Sequence, residues 1–221
     1  MRLLNQSIAG GRVRIEPPLA FEEAKYFLLG LEADLFSSDP EGYVQSALLP
    51  RPSGRNTKQK MCQIFWHNPP PPRLFREGIC QLATAARLVL ERGWPLEQIE
   101  MEPTIKEHGT LAYAVDILIK SPTGQILAAV EVKRSRKELE KLKRDFLHCW
   151  ALGEHGRDDC HLRQNHPKYQ FCIHYRPRYF WAVAPGEEFC FTFASHRNKV
   201  DLEQLSTLPT RMVVEKNLRE S

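Results

Sequence analysis

The sequence has no Cys-x-x-Cys pair, no run of about 18 apolar residues, no glycine-rich phosphate loop and no internal repeat. Each absence removes a class of protein. The cysteines show no Cys-x-x-Cys spacing, and a disulfide framework suits short secreted chains, which this is not. Without a long apolar run there is no transmembrane helix. Without a P-loop, a dinucleotide fingerprint or helicase motifs, the chain carries no nucleotide-driven motor. The first residues, MRLLNQSIAGGRVRIEPP, hold arginine but no continuous apolar stretch, and do not read as a secretory signal. The expectation is a soluble, cytoplasmic chain. Its six cysteines, Cys62, Cys80, Cys149, Cys160, Cys172 and Cys190, are then reduced and serve mainly as packing residues.

What the sequence does have is an ordinary core-forming composition. Of 221 residues, 42% are apolar and 26% charged, with a net charge of +4, and this length buries a sizeable core. The mild basic excess is unevenly spread. One cluster is RPSGRNTKQK, Arg51 to Lys60, and another is EVKRSRKELEKLKR, Glu131 to Arg144. Such clusters permit a nucleic-acid partner, although a solvated surface accounts equally well for either alone.

Residues 1–72 read as an irregular N-terminal extension. They hold one amphipathic helix, Ala20 to Phe36, then a loop rich in Pro, Ser and Gly and a proline run that excludes helix. Residues 73–196 are more regular. LFREGICQLATAARLVLERGW has apolar residues at helical spacing and ends at Gly93, with Pro95 beyond. IEMEPTI is a short strand with Pro103 inside it, so an edge or an irregular one. LAYAVDILI and QILAAVEVK are strands around the turn SPTG. Ser135, with Glu138 three residues on, starts a helix running to about Leu152. A loop of about 15 residues follows, then a short helix capped by Asn165, a strand from Tyr179 to Pro185 and another through EEFCFTFA. Residues 197–221 read as a tail, with TLPTRMVVEK adding a last strand. The order gives a mixed sheet flanked by helices.

The hairpin strands carry charges where apolar residues are expected. Asp116 lies in the first strand, and Glu131 and Lys133 in the second. A hairpin closed over Ser121 to Gly124 sets Asp116 opposite Ala129 and Glu131 opposite Ala114. The two acids then become diagonal neighbours on one face, about 7 Å apart, able to share a cation. One extra residue in the turn would send them to opposite faces. Two carboxylates at low dielectric repel unless a cation lies between them. Mg²⁺ favours a few carboxylates together with water and phosphate oxygens. The backbone carbonyl of Val132 is a further ligand, and Lys133 can orient water or stabilise developing negative charge. An ordinary Lys–Glu pair beside a sheet-edge Asp is the plainer account of the same residues.

Asp116, a gap of fourteen residues and then Glu131-Val132-Lys133 resemble the PD-(D/E)xK nuclease superfamily. The resemblance covers about half the chain, from the helix at Leu74 to the strand ending at Pro185. It is closest in look to the nuclease domain of type I restriction motor subunits, and looser to transposon end-cleaving nucleases. Val115 stands where the motif's name has proline. The resemblance implies an α/β, restriction-endonuclease-like αβββαβ core. Asp116 and Glu131 would hold Mg²⁺ or Mn²⁺, Lys133 would be catalytic, and Glu77 on the first helix would be an assisting acid. Glu102 could replace or assist Glu77.

The resulting expectation is a metal-dependent nuclease hydrolysing DNA phosphodiester bonds in restriction, recombination, repair or mobile-element processing. RNA stays open as a substrate, and the partner set includes a homodimer mate or a separate subunit. Arg134, Arg136, Lys137 and Lys168 are candidates for phosphate contact. The alternative is a non-catalytic module on the same fold that binds nucleic acid or protein. Cys and His also crowd residues 148–172 and are zinc-ligand types. Their spacing fits no recognised zinc pattern, so packed cysteines and solvated histidines are the plainer account there.

Overall fold

The computed structural model describes residues 21–38, 43–49, 64–66, 73–103, 114–156, 160–162, 164–196 and 199–219. The basic cluster Arg51 to Lys60, Cys62, the proline run at 69–72 and the start of the first hairpin strand at 111–113 lie outside the described residues. The chain divides into two compact units. One is Met1–Glu97 with Thr210–Ser221, and the other is Gln98–Pro209.

The first unit is built on two helices, α1 (Phe21–Glu32) and α2 (Arg76–Leu90). Two short antiparallel ribbons join them, β1 (Ser37–Ser38) with β2 (Val44–Gln45), and β3 (Phe65–Trp66) with β4 (Arg73–Leu74). α1 stops sooner than its apolar spacing predicts, and Asp34 just beyond it takes a left-handed backbone with φ 53°. The helices approach closely at Gly30. A Cβ there would sit 2.5 Å from the Phe36 ring and 3.0 Å from Ala86 Cβ, so only glycine fits. α2 buries Ile79, Leu82, Ala85, Ala86 and Leu88. Buried Glu23 of α1 is held by the Arg76 guanidinium at 2.8 Å and accepts from the Cys80 thiol at 2.7 Å.

The second unit is a six-stranded mixed sheet with helices against it. In chain order it contains β5 (Ile99–Met101), β6 (Ile117–Lys120), β7 (Ile126–Val132), α3 (Arg136–Leu152), α4 (His166–Tyr175), β8 (Tyr179–Ala184), β9 (Glu187–His196) and β10 (Lys199–Leu205). The strand order runs β10-β9-β8-β7-β6-β5. Every neighbouring pair is antiparallel except β7 and β8, which are parallel. A parallel pair needs a crossover, and α3 and α4 supply it. Central β7 is buried along its whole length, as its near-continuous apolar run demands.

One face of the sheet packs on the crossover. Leu139, Leu142, Phe146 and Cys149 of α3 and Tyr169, Phe171 and Cys172 of α4 meet Leu118, Ala129, Phe180, Ala182 and Phe191. Phe146 is central, with its ring stacked 4.6 Å from Phe180 and 5.5 Å from Phe191. α3 starts as its sequence predicts. The Ser135 side chain accepts from the Glu138 N–H, and Glu138 in return accepts from the Arg134 N–H. Asn165 stands at the N-cap position of α4 but does not cap it. Its amide donates instead to the buried Asp145 carboxylate at 2.8 Å, tying the start of α4 to α3.

The C-terminal residues differ from expectation. Lys199 to Leu205 form β10, paired along β9, and Leu202 packs against the core. Residues expected as a last strand contribute instead to a helix of the first unit, α5 (Arg211–Arg219). Its β-branched Val213 and Val214 favour a strand. Helical spacing wins because it buries Val214 while leaving Met212 and Val213 outside. It also places Arg211 2.6 Å from Glu215 one turn on.

Because Phe146 contacts both strands that flank the crossover's return, Phe146→Ala is expected to cost about 3–5 kcal/mol. Urea unfolding should show a lower midpoint with an unchanged slope.

Candidate active site

The hairpin turn closes as predicted, with the Gly124 N–H donating to Ser121 at 2.9 Å. Its register does not. Lys120 pairs with Ile126, one residue away from the expected pairing, and a bulge between Ile119 and Lys120 adds a second offset. Beyond the bulge Ala129 faces Leu118, where Asp116 was expected. Either offset alone would have turned the strand over. Together they make an even shift, which keeps side chains on their expected face. Glu131, two residues from Ala129, therefore faces the side covered by α3 and α4.

Asp116 stands just before β6. Its N–H donates to the Val130 carbonyl at 3.0 Å, and its carbonyl accepts from the Glu102 N–H at 2.9 Å. Its carboxylate reaches across to β7, where Oδ2 accepts from the Val132 N–H at 2.6 Å. Burial and the Glu131 charge push the Asp116 carboxyl well above the ordinary range. The Val132 N–H and Lys133 oppose this, and Glu102 adds to it. Glu102 is one of three described non-glycine residues with positive φ, at 48°. A glutamate in that conformation is strained, and it sits beside the acid pair.

Glu131 is only 2% exposed. Its Oε1 meets Lys133 Nζ at 2.5 Å and Lys168 Nζ at 3.5 Å. Its Oε2 is buried and meets no hydrogen-bond partner among the described residues. Lys168 lies in the first turn of α4, so the crossover carries it back to β7. The Asn165–Asp145 link just before it fixes where that turn starts.

The structure thus brings together Asp116, Glu131, Val132, Lys133 and Lys168 from the expected set, together with Glu102, the alternative to Glu77. The sequence places Lys168 only as a phosphate contact. Its approach to Glu131 depends on the crossover and has no local signal. Glu102 was legible as an acid on the preceding strand, but its contact with Asp116 depends on the observed pairing. Glu77 stands in the first turn of α2, in the other unit. Arg134 and Arg136 are exposed and pair with Glu138 and Glu140 one turn along α3, and Lys137 is exposed beside them.

Chemically, this is an acid pair with two ammonium groups on one oxygen and a buried oxygen left over. That is a donor set fitted to a hard divalent cation and an anion. No family model matches the chain, and no curated protein matches it.

The raised Asp116 carboxyl has a consequence for stability. A carboxyl whose folded pKa lies above its unfolded value favours folding most at low pH. That advantage is lost as pH rises through the folded value. In metal-free protein, Asp116→Asn should therefore raise the melting temperature at pH 7. The gain should shrink toward pH 4, near the ordinary carboxyl range of about 4. Thermal melts of both proteins across that pH series read it directly.

Proposed function

We propose that this chain is a Mg²⁺- or Mn²⁺-dependent nuclease acting on DNA. The observation that carries the proposal is Glu131: a carboxylate buried on a central strand, with one oxygen held by two lysines, the other meeting no hydrogen-bond partner among the described residues, and Asp116 beside it. A purely structural ion pair would satisfy both oxygens, because an unpaired buried charge is costly.

In this reading Asp116, Glu131 and the Val132 carbonyl hold the cation. When bound, it supplies an activated water and polarises the scissile phosphate. The residues do the rest. The Val132 N–H fixes the Asp116 carboxylate in position. Lys133 and Lys168 place positive charge where negative charge develops on the phosphate, and their grip on Glu131 Oε1 keeps that carboxylate oriented. Glu102 raises the negative field at Asp116 and so favours cation capture. Arg134, Arg136 and Lys137, on the surface at the start of α3, contact DNA backbone in this reading. Their binding would be salt-dependent and indifferent to sequence.

The test uses purified full chain with supercoiled, linear and single-stranded DNA, and RNA, each with Mg²⁺ or Mn²⁺. Cleavage should require the metal. It should fall at least about 10²-fold in Lys133→Ala, the scale on which losing one transition-state charge partner is felt. Metal at about 100 times its dissociation constant should stabilise the wild type by about 2.7 kcal/mol and do so far less in Glu131→Gln. DNA binding without metal-dependent cleavage or stabilisation would instead favour a binding module.

A further inference from the structure

A second constellation lies away from the acid pair. Cys149 stands in the last turn of α3, His155 in the loop beyond, and Cys160 five residues further. Their ligand atoms all lie within 4.8 Å of one another. Both cysteines are buried, and His155 is half-buried. We propose that Cys149, His155 and Cys160 bind a zinc ion that ties the loop between α3 and α4 to the end of α3.

The geometry favours a metal over two packed thiols. The sulfurs are 3.8 Å apart. Two thiolates at the usual zinc–sulfur distance of about 2.3 Å in a tetrahedral arrangement are separated by about 3.8 Å. A disulfide would need about 2.05 Å. His155 is oriented as ligating histidines are, with Nδ1 bonded to the Gly153 carbonyl at 2.6 Å. Such a backbone partner fixes the tautomer of a metal-bound imidazole, with Nε2 as the ligating nitrogen. Gly153 itself ends α3 with φ 77°, a backbone conformation that glycine adopts readily.

Zinc would take both sulfurs as thiolates, so its binding would release their protons to solvent. An open pocket lined by Glu154, Gly156 and Tyr169 reaches His155. The site stands independently of the nuclease reading, since no carboxylate of that site takes part.

The test strips purified full chain with a chelator under reducing conditions and titrates it with Co²⁺, then Zn²⁺. About one equivalent of Co²⁺ should give a thiolate charge-transfer band that Zn²⁺ abolishes. His155→Ala and Cys160→Ser should each weaken binding at least about tenfold. Cys172→Ala, which removes a buried thiol of α4 outside the cluster, should leave the band intact. Circular dichroism checks that each variant is folded, and the wild-type spectrum needs no variant at all. Absence of the band in the wild type would overturn the proposal. So would Co²⁺ affinity unchanged in Cys160→Ser, loss of the band in folded Cys172→Ala, or mass spectrometry showing a Cys149–Cys160 disulfide in protein that takes up no metal.

Discussion

A carboxylate inside a sheet has to be met by positive charge, and much of the second unit follows from where Glu131 finds it. β7 is buried from end to end, so Glu131 has no water to turn to. One ammonium comes from Lys133, just past the end of the same strand. The other comes from α4, and reaching it requires the crossover that makes β7 and β8 parallel. The core beneath, centred on Phe146, holds the crossover against the sheet. Apolar packing and ion placement are therefore served by the same segment. Removing either lysine would leave the burial of Glu131 less compensated.

Asp116 shows the opposite arrangement. It has a backbone N–H for its carboxylate, but its nearest charges include two other acids, Glu131 and Glu102. Glu102 is further held in a backbone conformation that glutamate adopts at a cost. Folding stability alone gives no reason for three acids to converge here. In the proposed function, capture of a cation does, because each added carboxylate deepens the field that a divalent ion relieves.

Much of the layout was legible in the sequence. The strands of the hairpin, the Ser135 start of α3, the mixed sheet with flanking helices and the juxtaposition of the acids could be read from periodicity, turn residues and capping. These are local signals. The register could not be read, because a turn offset and a bulge each shift it by one and no residue at Ile119 or Lys120 announces the bulge. The side chain of Asn165 looked like a cap and went to Asp145, since a buried carboxylate competes strongly for an amide. The C-terminal valines favour a strand locally, whereas burial of Val214 on one helical face decides the outcome. Lys168 at Glu131 and the meeting of Cys149, His155 and Cys160 belong to the same class. They are set by how the crossover folds back, which leaves no trace in spacing.

The single parallel pair also bears on the order of events as the chain folds. The β5–β6–β7 meander joins neighbours in sequence and can form early, whereas docking β8 must wait until the whole crossover has closed. Until then Glu131 has only Lys133 beside it and an open side to water. Lys168 and the covering helices reach it in the step that completes the sheet. The carboxylate is thus withdrawn from solvent only as its second counter-charge arrives, and the nascent chain never has to carry that charge buried with a single partner.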